Sequence, residues 1–162
     1  MADEPDVPEV RPPTIEDVRR ICRALEQAGA RYVLIGGFAV ILNGGERTTK
    51  DIDLLVDPAP ENIARLKRAL SVLEDDAARE IEPDDLERYA VVRVADEVMV
   101  DLLRAACGVT WAEAQGSAKT VDLDGTPVLV ADRRTLIRTK QTIRPSDAAD
   151  CAWLAALGDE NG

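Results

Sequence analysis

Tyr32-Val-Leu-Ile-Gly-Gly-Phe-Ala-Val-Ile-Leu-Asn-Gly-Gly-Glu-Arg-Thr-Thr-Lys-Asp-Ile-Asp-Leu-Leu-Val-Asp57 is the stretch around which the chain is organised. Val33 to Ile35 is wholly apolar, the pattern of a buried strand. Gly36-Gly37 reads as a turn, Phe38 to Leu42 as a short apolar helix, and Asn43-Gly44-Gly45 as its end. Glu46 to Lys50 is a polar loop, in which Arg47 and Lys50 make a local basic spot. Ile52 to Val56 is a second strand. It opens with Asp51 and Asp53, which share one face about 7 Å apart, because side chains alternate along a strand.

Two acids side by side repel each other and cost stability unless a cation lies between them. Magnesium is the usual partner of such a hard, oxygen-only site. The backbone N–H groups at Gly36-Gly37 can approach an anion closely at the start of a helix. Further on, Tyr89 to Val94 and Val98 to Leu103 are two apolar runs joined around Ala95-Asp96-Glu97, a hairpin pattern. Asp101 stands among apolar residues in the second run, and a buried carboxylate is costly unless paired or metal-bound. A phosphate cradle beside converging acids is the layout of a phosphoryl- or nucleotidyl-transfer site. A P-loop is absent, since no Gly-x4-Gly-Lys-Ser/Thr occurs.

Gly36-Gly37, thirteen residues, then Asp51-Ile52-Asp53-Leu54 resembles the signature of the DNA polymerase beta-type nucleotidyltransferase superfamily. Neither half is specific alone; the combination, with a strand on each side, is. The end of the chain resembles small prokaryotic members, including abortive-infection toxins of the AbiEii type: Lys140, then Arg144-x-x-Asp147, then Asp150 on the last helix. The resemblance implies an α/β (α+β) fold, a mixed β-sheet flanked by helices with further helices at the C-terminal end. It implies Asp51, Asp53 and Asp101 as catalytic and metal-binding residues for two magnesium ions, with manganese as a substitute. It implies nucleotide contacts from Gly36, Gly37, Arg47, Thr48, Lys50 and Lys140. The implied activity moves a nucleoside monophosphate from a triphosphate to a hydroxyl and releases pyrophosphate, in a toxin–antitoxin or phage-defence setting. The acceptor is left open among a protein side chain, a transfer RNA end and a small molecule. A partner protein or a second copy would complete so short a chain. The alternative is a nucleotide-binding or partner-inhibiting module of the same fold with little turnover.

Composition bounds the rest. With 162 residues there is one core and no room for a second domain. Met1 to Pro13, acidic and proline-rich, reads as a disordered tail, and residues 14–158 as a single domain. Thr14-Ile-Glu-Asp17 resembles a capping box before a helix. The net charge of −11 argues against general DNA binding, which needs basic surface. The chain has no His, which excludes Ser-His-Asp and Cys-His catalysis and His-based zinc sites. Cys22, Cys107 and Cys151 read as buried reduced thiols. No signal peptide and no apolar run of ~18 residues is seen, so a cytoplasmic location is expected. Asp124-Gly125 between two apolar runs is a second hairpin signal, with Pro127 marking an edge. Asp132 is a helix cap.

Overall fold

The computed structural model describes residues 10–142 and 144–157. The chain begins with α1 (Ile15–Gln27). Asp17 N–H donates to Thr14 Oγ1 and Thr14 N–H donates to Asp17 Oδ2, so the expected capping box forms. Val18, Ile21, Cys22 and Leu25 recur at helical spacing and are all buried.

The expected tail over residues 1–13 lies outside the described residues as far as residue 9. Its last four residues differ from that expectation. Arg11 N–H donates to the Glu97 carbonyl at 3.2 Å, and the Arg11 guanidinium donates to both Asp17 oxygens at 2.6 and 2.7 Å. Pro13 is buried. Arg11 NH2 also donates to the Glu97 carboxylate at 3.2 Å, and two carboxylates on separate segments outweigh the disordering composition.

A six-stranded mixed sheet forms the centre. β1 (Tyr32–Ile35) runs into α2 (Gly36–Leu42) and returns antiparallel as β2 (Asp51–Val56). After α3 (Pro60–Leu70), a 3₁₀ turn over Ala77–Glu80 and the short α4 (Asp85–Arg88), the hairpin of β3 (Val91–Ala95) and β4 (Met99–Leu103) adds to the sheet. β4 lies parallel to β2, so Asp101 sits on an internal strand and is not an edge acid. A small ribbon, β5 (Ala105–Ala106) and β6 (Val109–Thr110), and α5 (Trp111–Ala114) follow. The hairpin of β7 (Lys119–Leu123) and β8 (Thr126–Val130) closes the other side, in the order β3-β4-β2-β1-β8-β7. Pro127 is therefore one strand in from the edge. β8 pairs with β1 at Leu34–Val130, beyond Pro127, so the missing N–H of Pro127 breaks no bond to β1.

The chain ends with α6 (Arg133–Thr139), capped by Asp132 as expected, and α7 (Pro145–Ala156). The core is aliphatic, built from Val, Leu, Ile and Ala of both sheet and helices, with Tyr32 and Phe38 as its aromatics. Cys22 is buried and its thiol is pushed up to about 12 by that burial. The other two correct the reading of three buried thiols: Cys107 is exposed, in the turn between β5 and β6, and Cys151 on α7 is half-buried. The acidic stretch after α3 is held to the β3–β4 turn, because Asp96 is fully buried and accepts from the N–H groups of Asp75, Ala77 and Glu97.

Candidate active site

Strand register brings the three acids together. Asp51 and Asp53 share one face of β2, and Asp53 pairs in register with Asp101 of the parallel β4. One carboxylate oxygen from each of Asp51, Asp53 and Asp101 lies within 4.8 Å of the others. Burial, then the neighbouring Asp51 and Asp101, raises the Asp53 carboxyl to about 7. Asp51 is raised as well, by burial and by Asp101, against the pull of Arg93. Three oxygen donors that resist being charged together fit a divalent cation.

The glycine pair closes one side. α2 begins at Gly36 itself, earlier than the helix over Phe38–Leu42 that the apolar run suggests. Gly36 has φ +76, and a Cβ there would overlap Oδ2 of Asp53 and lie 2.9 Å from its Cγ. A Cβ on Gly37 would lie 2.7 Å from Thr49 Oγ1 and 3.3 Å from Arg47 Nε. Both halves of the signature are therefore in contact, and the backbone at the glycines packs so closely on Asp53 and Thr49 that any side chain there would collide.

The C-terminal helices supply the basic side. Lys140, at the end of α6, is buried; its Nζ lies 2.9 Å from Asp150 Oδ2 and 3.5 Å from Asp147 Oδ1. Arg47 NH1 also donates to Asp150 Oδ2, tying the loop before β2 to α7. Arg144 donates to Asp147 at 2.9 Å across the first turn of α7, and Thr142 Oγ1 donates to the same carboxylate at 2.6 Å. Burial opposes the charge on Asp147, yet Thr142, Lys140 and Arg144 hold it below the usual carboxylate range. Lys140 and Arg144 also pull the Asp53 carboxyl downward, which sets their charges within electrostatic reach of the acids.

The model of the family described as "Nucleotidyl transferase AbiEii toxin, Type IV TA system" matches residues 19–161. The chain belongs to the AbiEii family. The match takes in all three acids, the glycine pair and Lys140. The fold is similar to the crystal structure of a candidate nucleotidyltransferase from Thermotoga maritima, with a TM-score of 0.55 at 15% identity, over 88% of this chain and 92% of that one. At that identity the likeness is one of fold. No curated protein matches the chain.

In this AbiEii-family chain the remaining expected contacts are distributed unevenly. Thr48 and Lys50 are exposed on the loop before β2. Thr48 and Arg47 border an open groove of about 570 Å³, whose far wall is Ser146, Ala149, Asp150 and Trp153 of α7. Thr49 donates to the Asp51 carbonyl at 3.1 Å and so steadies the start of β2.

Sequence reasoning missed Arg93. It stands opposite Asp101 across the β3–β4 hairpin. Its Nε and NH2 donate to the two Asp101 oxygens at 2.9 and 3.0 Å, and NH2 also reaches Asp51 at 3.4 Å. The two strands were recognised, but the turn spans Asp96–Val98, one residue beyond the expected Ala95-Asp96-Glu97 join, so Ala95 pairs with Met99 and Arg93 with Asp101.

Proposed function

We propose that this AbiEii-family chain transfers a nucleoside monophosphate from a nucleoside triphosphate to a hydroxyl acceptor and releases pyrophosphate. The observation that carries the reading is the convergence of Asp51, Asp53 and Asp101 from two parallel strands onto one point beside Gly36.

Those three carboxylates would hold two magnesium ions, or manganese in their place, which when bound lower the pKa of the acceptor hydroxyl and offset phosphate charge. Asp101 takes the proton of the acceptor hydroxyl. The acceptor oxygen bonds to the α-phosphorus in line, and the bond from that phosphorus to the bridging oxygen of pyrophosphate breaks. The backbone N–H groups at Gly36 and Gly37, at the start of α2, would meet the phosphates. Lys140, with Arg47, Thr48 and Lys50 on the loop, draws the β- and γ-phosphates and stabilises the charge that develops on pyrophosphate.

The acceptor belongs to one of three classes: a protein side chain, a transfer RNA end or a small molecule. The net charge of −11 works against a long RNA and favours an acceptor that touches the protein over a short length. As a member of a toxin family the chain would act with an antitoxin partner, and a second copy is the other candidate to complete the site.

The test is thermal stability with each of the four nucleoside triphosphates, with and without magnesium, for the parent, Asp51→Asn and Asp53→Asn. Ligand at 100 times its dissociation constant adds about 2.7 kcal/mol. A magnesium-dependent shift in the parent that is absent from both variants supports the site. Equal shifts in all three proteins place the nucleotide elsewhere and contradict it.

A further inference from the structure

We propose that Arg93 is a positioning residue that stands in for a divalent cation on Asp101. It keeps this carboxylate oriented and lowers its affinity for free metal until the site is engaged. The inference rests on the reading of the three acids as a metal site.

The geometry is that of a two-pronged ion pair. The guanidinium donates in parallel to both oxygens of Asp101 at 2.9 and 3.0 Å, with a weaker third contact to Asp51 at 3.4 Å. Such a fork fixes the plane of a carboxylate as well as its charge. Both partners come from the same hairpin, in direct cross-strand register. Their separation is set by the ladder and does not depend on a flexible loop.

The two ends of the pair differ in exposure. The Asp101 side chain is 9% exposed, whereas that of Arg93 is 59% exposed and lies on the edge strand. Asp101 cannot leave without breaking the sheet, while the guanidinium can swing into solvent by side-chain rotation alone. A fork of this kind takes up one lone pair on each Asp101 oxygen and places a positive charge beside them. A cation arriving at Asp101 therefore competes with Arg93, and free metal binds more weakly than three carboxylates alone would hold it. Among the described residues no such fork reaches Asp53, and the bonds of Arg93 go to Asp101 and Asp51. The competition is thus concentrated at Asp101, the acid given the acceptor side of the reaction.

General electrostatics would also let any nearby positive charge weaken cation binding, so the test has to separate the fork from the field. Manganese binding to the nucleotide-free full chain is measured by electron paramagnetic resonance for the parent, Arg93→Gln, Arg93→Lys, Asp101→Asn and the Arg93→Gln/Asp101→Asn pair. Circular dichroism melts confirm that each variant is folded. Arg93→Gln is expected to tighten manganese by about tenfold or more. Arg93→Lys, which keeps the charge and loses the fork, falls between the two. In the Asp101→Asn background the Arg93→Gln effect is expected to shrink below about twofold, as coupled residues require.

An Arg93→Gln affinity within about twofold of the parent overturns the proposal. So does a tightening that persists in full without the Asp101 carboxylate, which would make Arg93 a distant field charge. Absence of manganese binding in every folded variant overturns the metal site itself and the proposal with it. That outcome is distinct from binding that is insensitive to Arg93.

Discussion

Gly36 and Asp53 lie against each other so closely that a methyl group on the first would overlap the carboxylate of the second. Fourteen residues of intervening helix and loop (Gly37 to Lys50) return the chain to its own starting point, because β1 and β2 are antiparallel and Ile35 pairs with Asp53. The signature is one local structure, not two motifs.

Gly36→Ala tests that contact. It meets two penalties, a left-handed backbone at φ +76 and the overlap with Asp53. Gly108→Ala meets only the first, since φ is +82 and nothing lies within 4 Å of its Cβ. Each strained backbone costs about 1–3 kcal/mol. Gly36→Ala is expected to lose more stability in urea unfolding than Gly108→Ala, and to lose magnesium-dependent nucleotide binding that Gly108→Ala retains.

The crowded acids predict a pH dependence of the metal-free protein. The folded Asp53 carboxyl is raised to about 7, against about 3.9 in an unfolded chain. A raised acid stabilises the fold fully below the unfolded value, and that contribution disappears as pH rises through about 7. Asp53→Asn removes the penalty. In chelator it is expected to be more stable than the parent at pH 8, on the order of 2 kcal/mol, with the gap closing toward pH 5. Thermal melts at both pH values check the sign.

Lys140 sits between two jobs. Its buried ammonium neutralises Asp147 and Asp150, and removing one partner of such a group strands the other charges. Lys140→Met is expected to cost about 3 kcal/mol of stability, read by denaturant unfolding. Lys140→Arg keeps the charge in a larger, differently shaped head. It is expected to recover most of the stability while weakening nucleotide binding, because the proposed phosphate contact depends on the position of the ammonium.

Asp96 is expected to matter for folding alone. It is fully buried and satisfies the N–H groups of Asp75, Ala77 and Glu97. Asp96→Ala leaves three donors unpaired and is expected to cost about 3 kcal/mol. Nucleotide affinity, measured below the lowered melting temperature, should be unchanged.

Much of this was legible in the chain itself. Asp51 and Asp53 announce a shared face by spacing alone, and Asp101 announces itself as an acid among apolar residues. Capping boxes and Asp-Gly turns are local chemistry, so Thr14, Asp132 and the 124–125 turn were found where they were expected. Arg93 and Arg11 were not, since their meaning depends on partners 8 and 86 residues away. The exposed Cys107 was missed because a turn between two-residue strands leaves no periodicity to read. Asp150 binding both Arg47 and Lys140 joins three segments, and only the folded chain shows that one carboxylate serves both cations.

The central claim is that the acids carry nucleotidyl transfer. The most direct measurement incubates the chain with a cell extract as source of acceptor and partner and each nucleoside triphosphate labelled on the α-phosphate, with magnesium, and follows label and pyrophosphate together. The account predicts label joined covalently to an acceptor, pyrophosphate released in equal amount, and both lost in Asp51→Asn and Asp53→Asn. Tight, magnesium-dependent nucleotide binding at these acids with no label transferred to any protein, RNA or small molecule would contradict it, and would leave a binding module in the fold of an enzyme.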